Sequence, residues 1–458
     1  MNLLKKNYGL FFLTTLVFIS IYLVVSFQIP FIGTFGGKNL EEGVAYNFIS
    51  IILNWQEHEF LRNRLIQIFT VDQIEAIDLK TMMNIGVPDQ ISTNFNLNSF
   101  VKKNSYVSYQ PGFLYIVYLF CEIFNFETRA EIKYFTDCLL IFISLTIPTL
   151  LSIMSYELSS KFNHNKNFKF LIASFIFIFF YTNQFSIKQF TGVFSPENFE
   201  ILLLSLFIYL RIKIIETHLI NKNFIFLIAT IFIWSLTSHL IFILVILDFL
   251  FNLKNFSKLK KYFFFAFLVT FIGGMIFLIN LYMIDLSDFG LKKFLGRIND
   301  IQNSSGKSHS MLFTMIDEKG DYYYPHIFKS YIWLQLHPII EKPFIFIVFF
   351  ILIILYLFKK RLNFDYYNLY IVPLSCSIIY SIVFVDHFAK HPMLQLKFLI
   401  FNSLSYLIII SYLSNLVLNN KYKINIFYKK KSLINILFLI FILIFYIYKI
   451  SRYKILNY

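Results

Sequence analysis

The feature that most constrains this chain is the length of its apolar runs. They fall in blocks of roughly fifteen to twenty-five residues, and about twenty suffice to cross a hydrocarbon core of about 30 Å. The composition agrees: 57% of the 458 residues are hydrophobic and 15% are charged. Mean hydropathy is +0.64, and a soluble chain of this length carries more charge. The backbone groups of a segment in lipid must be satisfied within that segment, so the runs predict helices. The expected fold is all-α: a polytopic transmembrane helix bundle in one domain, 1–458.

The remaining composition excludes more than it identifies. The formal charge of +15 has a topological reading, because Lys and Arg collect in cytoplasmic loops. No basic soluble domain accompanies it, so no nucleic-acid partner is expected. The three cysteines, Cys121, Cys138 and Cys376, have neither metal-ligand spacing nor the pattern of a disulfide framework. The opening stretch "MNLLKKNYGLFFLTTLVFISIYLVVSF" has a basic head but no small-residue cleavage pattern after it. It reads as a retained anchor over 8–27 with the N-terminus cytoplasmic.

The basic loops orient the remaining runs. Residues 28–134 form a first outer loop. Within it, 111–126 has an unbroken apolar core too short to cross and reads as an interfacial or re-entrant helix. Spans are then expected at 135–156, 169–186, 197–215, 222–237, 239–253 and 262–283. Others follow at 343–358, 366–386, 393–417 and 433–448, about eleven in all. "SLTSHL" at 235–240 divides one long apolar run into two short helices. A second outer loop covers 284–341; its Tyr322–Tyr324 and Trp333 suit a membrane interface. This arrangement puts Lys161, Lys166, Lys169, Lys213, Lys222, Lys254, Lys258, Lys260 and Lys261 inside. Most carboxylates and histidines then lie outside, where chemistry is expected.

The candidate residues cluster on that outer side. Glu41 and Glu42 open a stretch in which Val44, Phe48, Ile51, Ile52 and Trp55 recur at helical spacing. The plain reading is an acidic first turn of a membrane-surface helix. The functional reading is a carboxylate pair that deprotonates an acceptor or ligates a divalent cation. Glu197 follows Pro196 at a helix start, as a capping acid or a second site carboxylate. His239 lies at the break in "SLTSHL", as a packing residue or a site residue of a broken helix. Lys188, and Lys390 with His391 in "DHFAKHPMLQLK", are cations suited to a phosphate. Their plain alternatives are a snorkelling lysine and a solvated turn.

Glu41-Glu42-Gly43 with Tyr46, soon after a first span, resembles the acidic motif of the GT-C membrane glycosyltransferases. The likeness is to the protein O-mannosyltransferase and aminoarabinose-transferase branch. "SYQPGFLYIVY" is similar to that branch's proline-led short helix, with Gly112 in place of a second proline. Gln110 stands where members carry Lys or His. "YELSSKFNHNKNFK" resembles their basic turn after the second span. The resemblance covers about residues 8–250 and implies transfer of a sugar from a polyprenyl-phosphate donor to a lipid, glycan or protein acceptor. By that likeness Glu41 is the general base and Glu42 orients the acceptor or helps hold a metal. Gln110 takes the phosphate or acceptor contact, and the cofactor stays open apart from that cation. The expected setting is a bacterial inner membrane, with its lipids as partners. A lipid-linked glycan flippase and a polysaccharide polymerase or ligase are the competing readings.

Overall fold

The computed structural model describes residues 13–17, 19, 42–57, 111–160, 166–181, 196–217, 222–284 and 295–296, together with 371–376, 379, 397 and scattered positions at 399–410, 440 and 444. Among the described residues the regular structure is helical, with no strand. Its continuous helices are α1 (Glu42–Glu57), α2 (Gly112–Phe124), α3 (Arg129–Ser160), α4 (Lys166–Tyr181), α5 (Pro196–Thr217), α6 (Lys222–Ser235), α7 (Leu240–Phe251) and α8 (Phe256–Ile284). A 3-10 turn, Leu253–Asn255, joins α7 to α8. Two stretches, Arg129–Ser160 and Leu253–Tyr282, are long and apolar enough to cross a membrane. At 1.5 Å per residue α3 runs about 48 Å, longer than a hydrocarbon core of about 30 Å. The expected spans at 8–27, 343–358, 366–386, 393–417 and 433–448 lie wholly or mostly outside the described residues, as does the 284–341 loop apart from 295–296.

The cross-helix contacts fix an alternating order. Ser152 Oγ donates to the Ala173 carbonyl at 3.0 Å, and the Tyr156 and Phe170 rings lie 4.7 Å apart. Helices α3 and α4 are therefore an antiparallel hairpin. Glu157 pairs with Lys213, so α5 runs parallel to α3. Trp234 reaches Glu200, which sets α6 antiparallel to α5. Ser238 also meets Glu200 and Arg211 meets Asp248, so α7 runs with α5. Phe249 packs on Phe256 and Phe263, which turns α8 back along α7.

Six helices thus run up and down between two ends of one bundle. The basic end holds the exposed Lys166, Lys222, Lys254, Lys258, Lys260 and Lys261. The opposite end holds the start of α5, the α6–α7 break and the start of α3.

Small side chains let the α3–α4 hairpin close. Ser152, Ser155 and Ser159 are buried on one face of α3, and small polar residues at this spacing bring helix backbones together in lipid. The bundle exterior is apolar as well. Phe264, Phe271, Met275, Leu278 and Ile279 of α8 are exposed, a continuous apolar flank that suits lipid better than water.

Helix α1 forms where its periodicity predicts, but its apolar stripe faces protein. Phe48, Ile51, Ile52 and Trp55 are buried against α2 and α3. Phe48 meets Phe113 edge to face at 5.1 Å, and Trp55 packs on Tyr115 and Tyr118. The stripe that reads as membrane-seeking in sequence is consumed by this packing.

Helix α2 is closed by Asn125 in the left-handed region, φ 53° and ψ 46°. The Phe126 N–H returns to the Cys121 carbonyl at 2.9 Å, a Schellman-type stop. Three residues on, Thr128 and Glu131 form a capping box that starts α3. Gln56 Nε2 donates to the Phe126 carbonyl at 2.8 Å, tying the end of α1 to this loop.

Candidate functional site

The break between α6 and α7 builds the site. Helix α6 stops because Thr237 and Ser238 fold their N–H groups back to the Trp234 carbonyl, both at 2.9 Å. Thr237 Oγ1 takes the Ile233 carbonyl at 2.8 Å. Ser238 Oγ then accepts the Leu240 N–H at 3.2 Å, which caps α7. The Leu236 carbonyl is left pointing away from both helices.

That carbonyl accepts the Gly112 N–H at 2.7 Å. A Cβ at residue 112 would collide with the Leu236 carbonyl, so the close approach requires glycine. A proline there would remove the donor as well. The position at which this chain departs from the two-proline pattern is therefore the one that docks α2 onto the break. The Tyr115 hydroxyl accepts from Asn280 Nδ2 at 3.2 Å, and Phe135 packs on Phe120 and Phe126. These contacts hold both ends of α2 at the end of the bundle away from the basic loops.

Beneath the break sits Glu200, one turn into α5. Its Oε1 accepts from Ser238 Oγ at 2.5 Å and from Trp234 Nε1 at 3.4 Å. Its Oε2 meets Lys397 Nζ at 2.6 Å, with the two side chains 3% and 1% exposed. A carboxylate and an ammonium this deeply buried persist because each satisfies the other. Cys376 lies close by, with its Sγ directed to the Leu240 carbonyl at 3.6 Å. One carboxylate therefore joins α5, both sides of the α6–α7 break and a segment nearly two hundred residues further along the chain.

Two of the predicted residues, Glu197 and His239, fall beside this cluster. Glu197 is in the first turn of α5 and buried, three residues before Glu200. His239 is in the break, immediately before α7, with its ring edge-on to Phe277 at 4.8 Å. Glu42 is the first residue of α1, although its side chain lies outside the described part. Glu41, Gln110, Lys188, Lys390 and His391 lie outside the described residues. Among the described residues no three His, Cys, Asp or Glu side chains converge as a metal site.

Glu200, Lys397, Ser238 and Trp234 were not singled out by the sequence reading. Their signal was present. Glu200 opens the apolar run Ile201–Leu210 and Lys397 lies inside an apolar stretch, and charges so placed pair inside a bundle. Distance along the chain hid the pairing.

A second buried network closes the basic end. Asp248 accepts from the Tyr262 hydroxyl at 2.7 Å, from Asn252 Nδ2 at 2.8 Å and from Arg211 Nε at 3.3 Å. The Arg211 guanidinium also lies 4.6 Å from the Tyr262 ring centre. This cluster ties α5, α7 and α8 at the end of the bundle away from the α6–α7 break.

No protein-family model matches the chain, and no curated protein matches it.

Proposed function

We propose that this chain is a GT-C-type membrane glycosyltransferase that moves a sugar from a polyprenyl-phosphate donor to an acceptor at the outer membrane face. In this reading the bundle crosses a bacterial inner membrane about eleven times, with the N-terminus and the basic end in the cytoplasm. The observation that carries it is the folding of α1 and α2 onto the end opposite the basic lysines. With the basic end taken as cytoplasmic, the helix that begins at Glu42 falls on the outer side in this reading, close to a break floored by buried polar groups. The acidic motif, the proline-led helix and the basic turn occur in the order of the family that the sequence resembles.

In the proposed reaction the Glu41 carboxylate takes the proton of an acceptor hydroxyl or amine. The acceptor's electron pair then forms a bond to the anomeric carbon. The bond from that carbon to the phosphate oxygen breaks, and polyprenyl phosphate leaves with the electron pair. Inversion at the sugar follows from attack opposite the leaving group. Glu42 orients the acceptor. Gln110, Lys188, Lys390 and His391 are the candidates for the departing phosphate, with Glu197 and His239 at the rim.

The flippase reading requires polar groups at mid-depth on repeated spans. The buried charged pairs described here sit near the two ends instead. The polymerase or ligase reading rests on the 284–341 loop.

The test uses full-length protein in nanodiscs with a labelled polyprenyl-phosphate sugar. Glu41→Gln should lower transfer by about 10²–10⁴-fold, the usual contribution of a general base. Glu42→Gln should lower it less. Full transfer by both variants, at normal expression, overturns the assignment. Movement of an intact labelled lipid across the bilayer without sugar transfer would favour the flippase.

A further inference from the structure

We infer that Glu200 and Lys397 form a buried charge latch that sets the shape of the α6–α7 break and, through it, the docking of α2 and α1. The latch is a positioning device, and its role at a catalytic loop rests on the transferase reading above.

The chain of contacts is continuous. Lys397 Nζ holds Glu200 Oε2 at 2.6 Å. The other oxygen, Oε1, takes the Ser238 hydroxyl at 2.5 Å. Ser238 Oγ in turn accepts the Leu240 N–H at 3.2 Å, so the hydroxyl both donates to Glu200 and caps α7. The residues between Ser235 and Leu240 are thereby fixed in one turn. That turn presents the Leu236 carbonyl to the Gly112 N–H at 2.7 Å. Helix α2, fixed at its first residue, receives Phe48 and Trp55 of α1 on Phe113, Tyr115 and Tyr118.

Each link is short, buried or both. The pair lies in a low-dielectric interior, where an ammonium holds a carboxylate oxygen far more firmly than it does in water. With Lys397 neutralised, Glu200 is held only through Oε1, by the Ser238 hydroxyl and the longer Trp234 Nε1 contact at 3.4 Å, and its carboxyl group has more freedom to shift away from Ser238. The outermost contact, one backbone hydrogen bond to Leu236, then has a moving acceptor. The α3–α4 hairpin contacts at Ser152 and Tyr156 lie outside this chain, whereas the start of α3, at Phe135, touches α2 and its loop.

The experiment measures amide hydrogen exchange on the full chain in nanodiscs and needs no substrate. Glu200→Gln with Lys397→Met removes both charges together and so leaves no buried charge unpaired. Ser238→Ala breaks the link to the break and keeps the ion pair. Both variants should raise exchange over 111–124 and 42–57 by tenfold or more, with 140–156 in α3 unchanged. Unchanged exchange over 111–124 in either folded variant overturns the latch, as does a rise spread equally over α3. Lys397→Arg, which keeps the charge beside Glu200, should retain most of the wild-type protection that the double variant loses.

A transfer assay on the same samples separates the two proposals. Local loosening with no transfer by the wild type sinks the transferase reading and leaves the latch standing. Robust wild-type transfer with unchanged exchange in the variants does the reverse. Where both hold, Ser238→Ala should lower kcat with little change in donor KM.

Discussion

At the scale of single residues, Glu131 is the clearest case of a side chain whose charge state decides a local structure. Its carboxylate accepts the Thr128 N–H at 2.9 Å, the Thr128 hydroxyl at 2.8 Å and the Glu127 N–H at 3.1 Å. The Thr128 backbone and hydroxyl bonds, and then the Glu127 N–H, hold its pKa below the ordinary glutamate value. A carboxyl with a lowered folded pKa contributes fully above its unfolded pKa, about 4.3 for Glu. The contribution is lost as pH falls through the folded value. Amide protection over 127–132, corrected for intrinsic exchange, should therefore be flat from pH 7 to 5 and fall on further acidification. Glu131→Gln should show no such acid-dependent step. A step of equal size in that variant would mean that another group titrates there.

At the scale of elements, the helices follow from periodicity and stop signals. The short helix at 111–126, the break at 235–240 and the start of α5 at Pro196 are legible because proline, αL asparagine and hydroxyl caps act locally. What the sequence conceals is which surface each element meets. The α1 stripe reads equally well as lipid-facing or protein-facing, since Phe, Ile and Trp suit both. The Glu200–Lys397 pair is concealed for another reason: nothing local to either residue names a partner so far away. Glycines show the same limit. Gly112 and Gly273 look alike in sequence, but a Cβ at 112 meets the Leu236 carbonyl, while one at 273 meets first the Ser235 hydroxyl. Rotation of Ser235 would move its Oγ but not its Cβ, which lies 2.6 Å from the added atom, so both positions are closed to alanine and differ in what could relieve them. Gly112→Ala should therefore cost about 1–3 kcal/mol of overpacking, read as a lower melting temperature and faster exchange in α2. Gly273→Ala should cost a similar amount, but there Ser235→Gly in the same chain, which removes both the Oγ and the Cβ, should recover part of the loss. No recovery by Ser235→Gly would show that the Ser235 side chain is not what closes the α6–α8 crossing.

At the scale of the whole molecule, loop charge and helix contacts give the same alternation. Loop charge alone assigns the lysines after α3, α5 and α7 to one side of a membrane. Helix contacts alone, from Tyr156–Phe170 to Phe249–Phe256, put those same turns at one end of an alternating bundle. The agreement depends on α2 not crossing. Had it crossed, α3 would start from the other side and every later lysine loop would change sides. Contacts of α2 with Leu236 and Asn280, and of its C-terminal loop with Phe135, argue that it stays at one end. Its exposed Leu119, Ile123 and Phe124 fit the headgroup boundary. The test is single-cysteine labelling in spheroplasts, after Cys121, Cys138 and Cys376 are replaced by alanine. Glu127→Cys, in the exposed loop between α2 and α3, should react with a membrane-impermeant maleimide from outside. Lys258→Cys, exposed at the start of α8, should react only after the membrane is opened. Labelling of both from the same side would break the alternating arrangement. Labelling of both with the sides exchanged would keep the bundle and invert it, carrying Glu41 and Glu42 to the cytoplasmic face and removing the outer-face reaction with them.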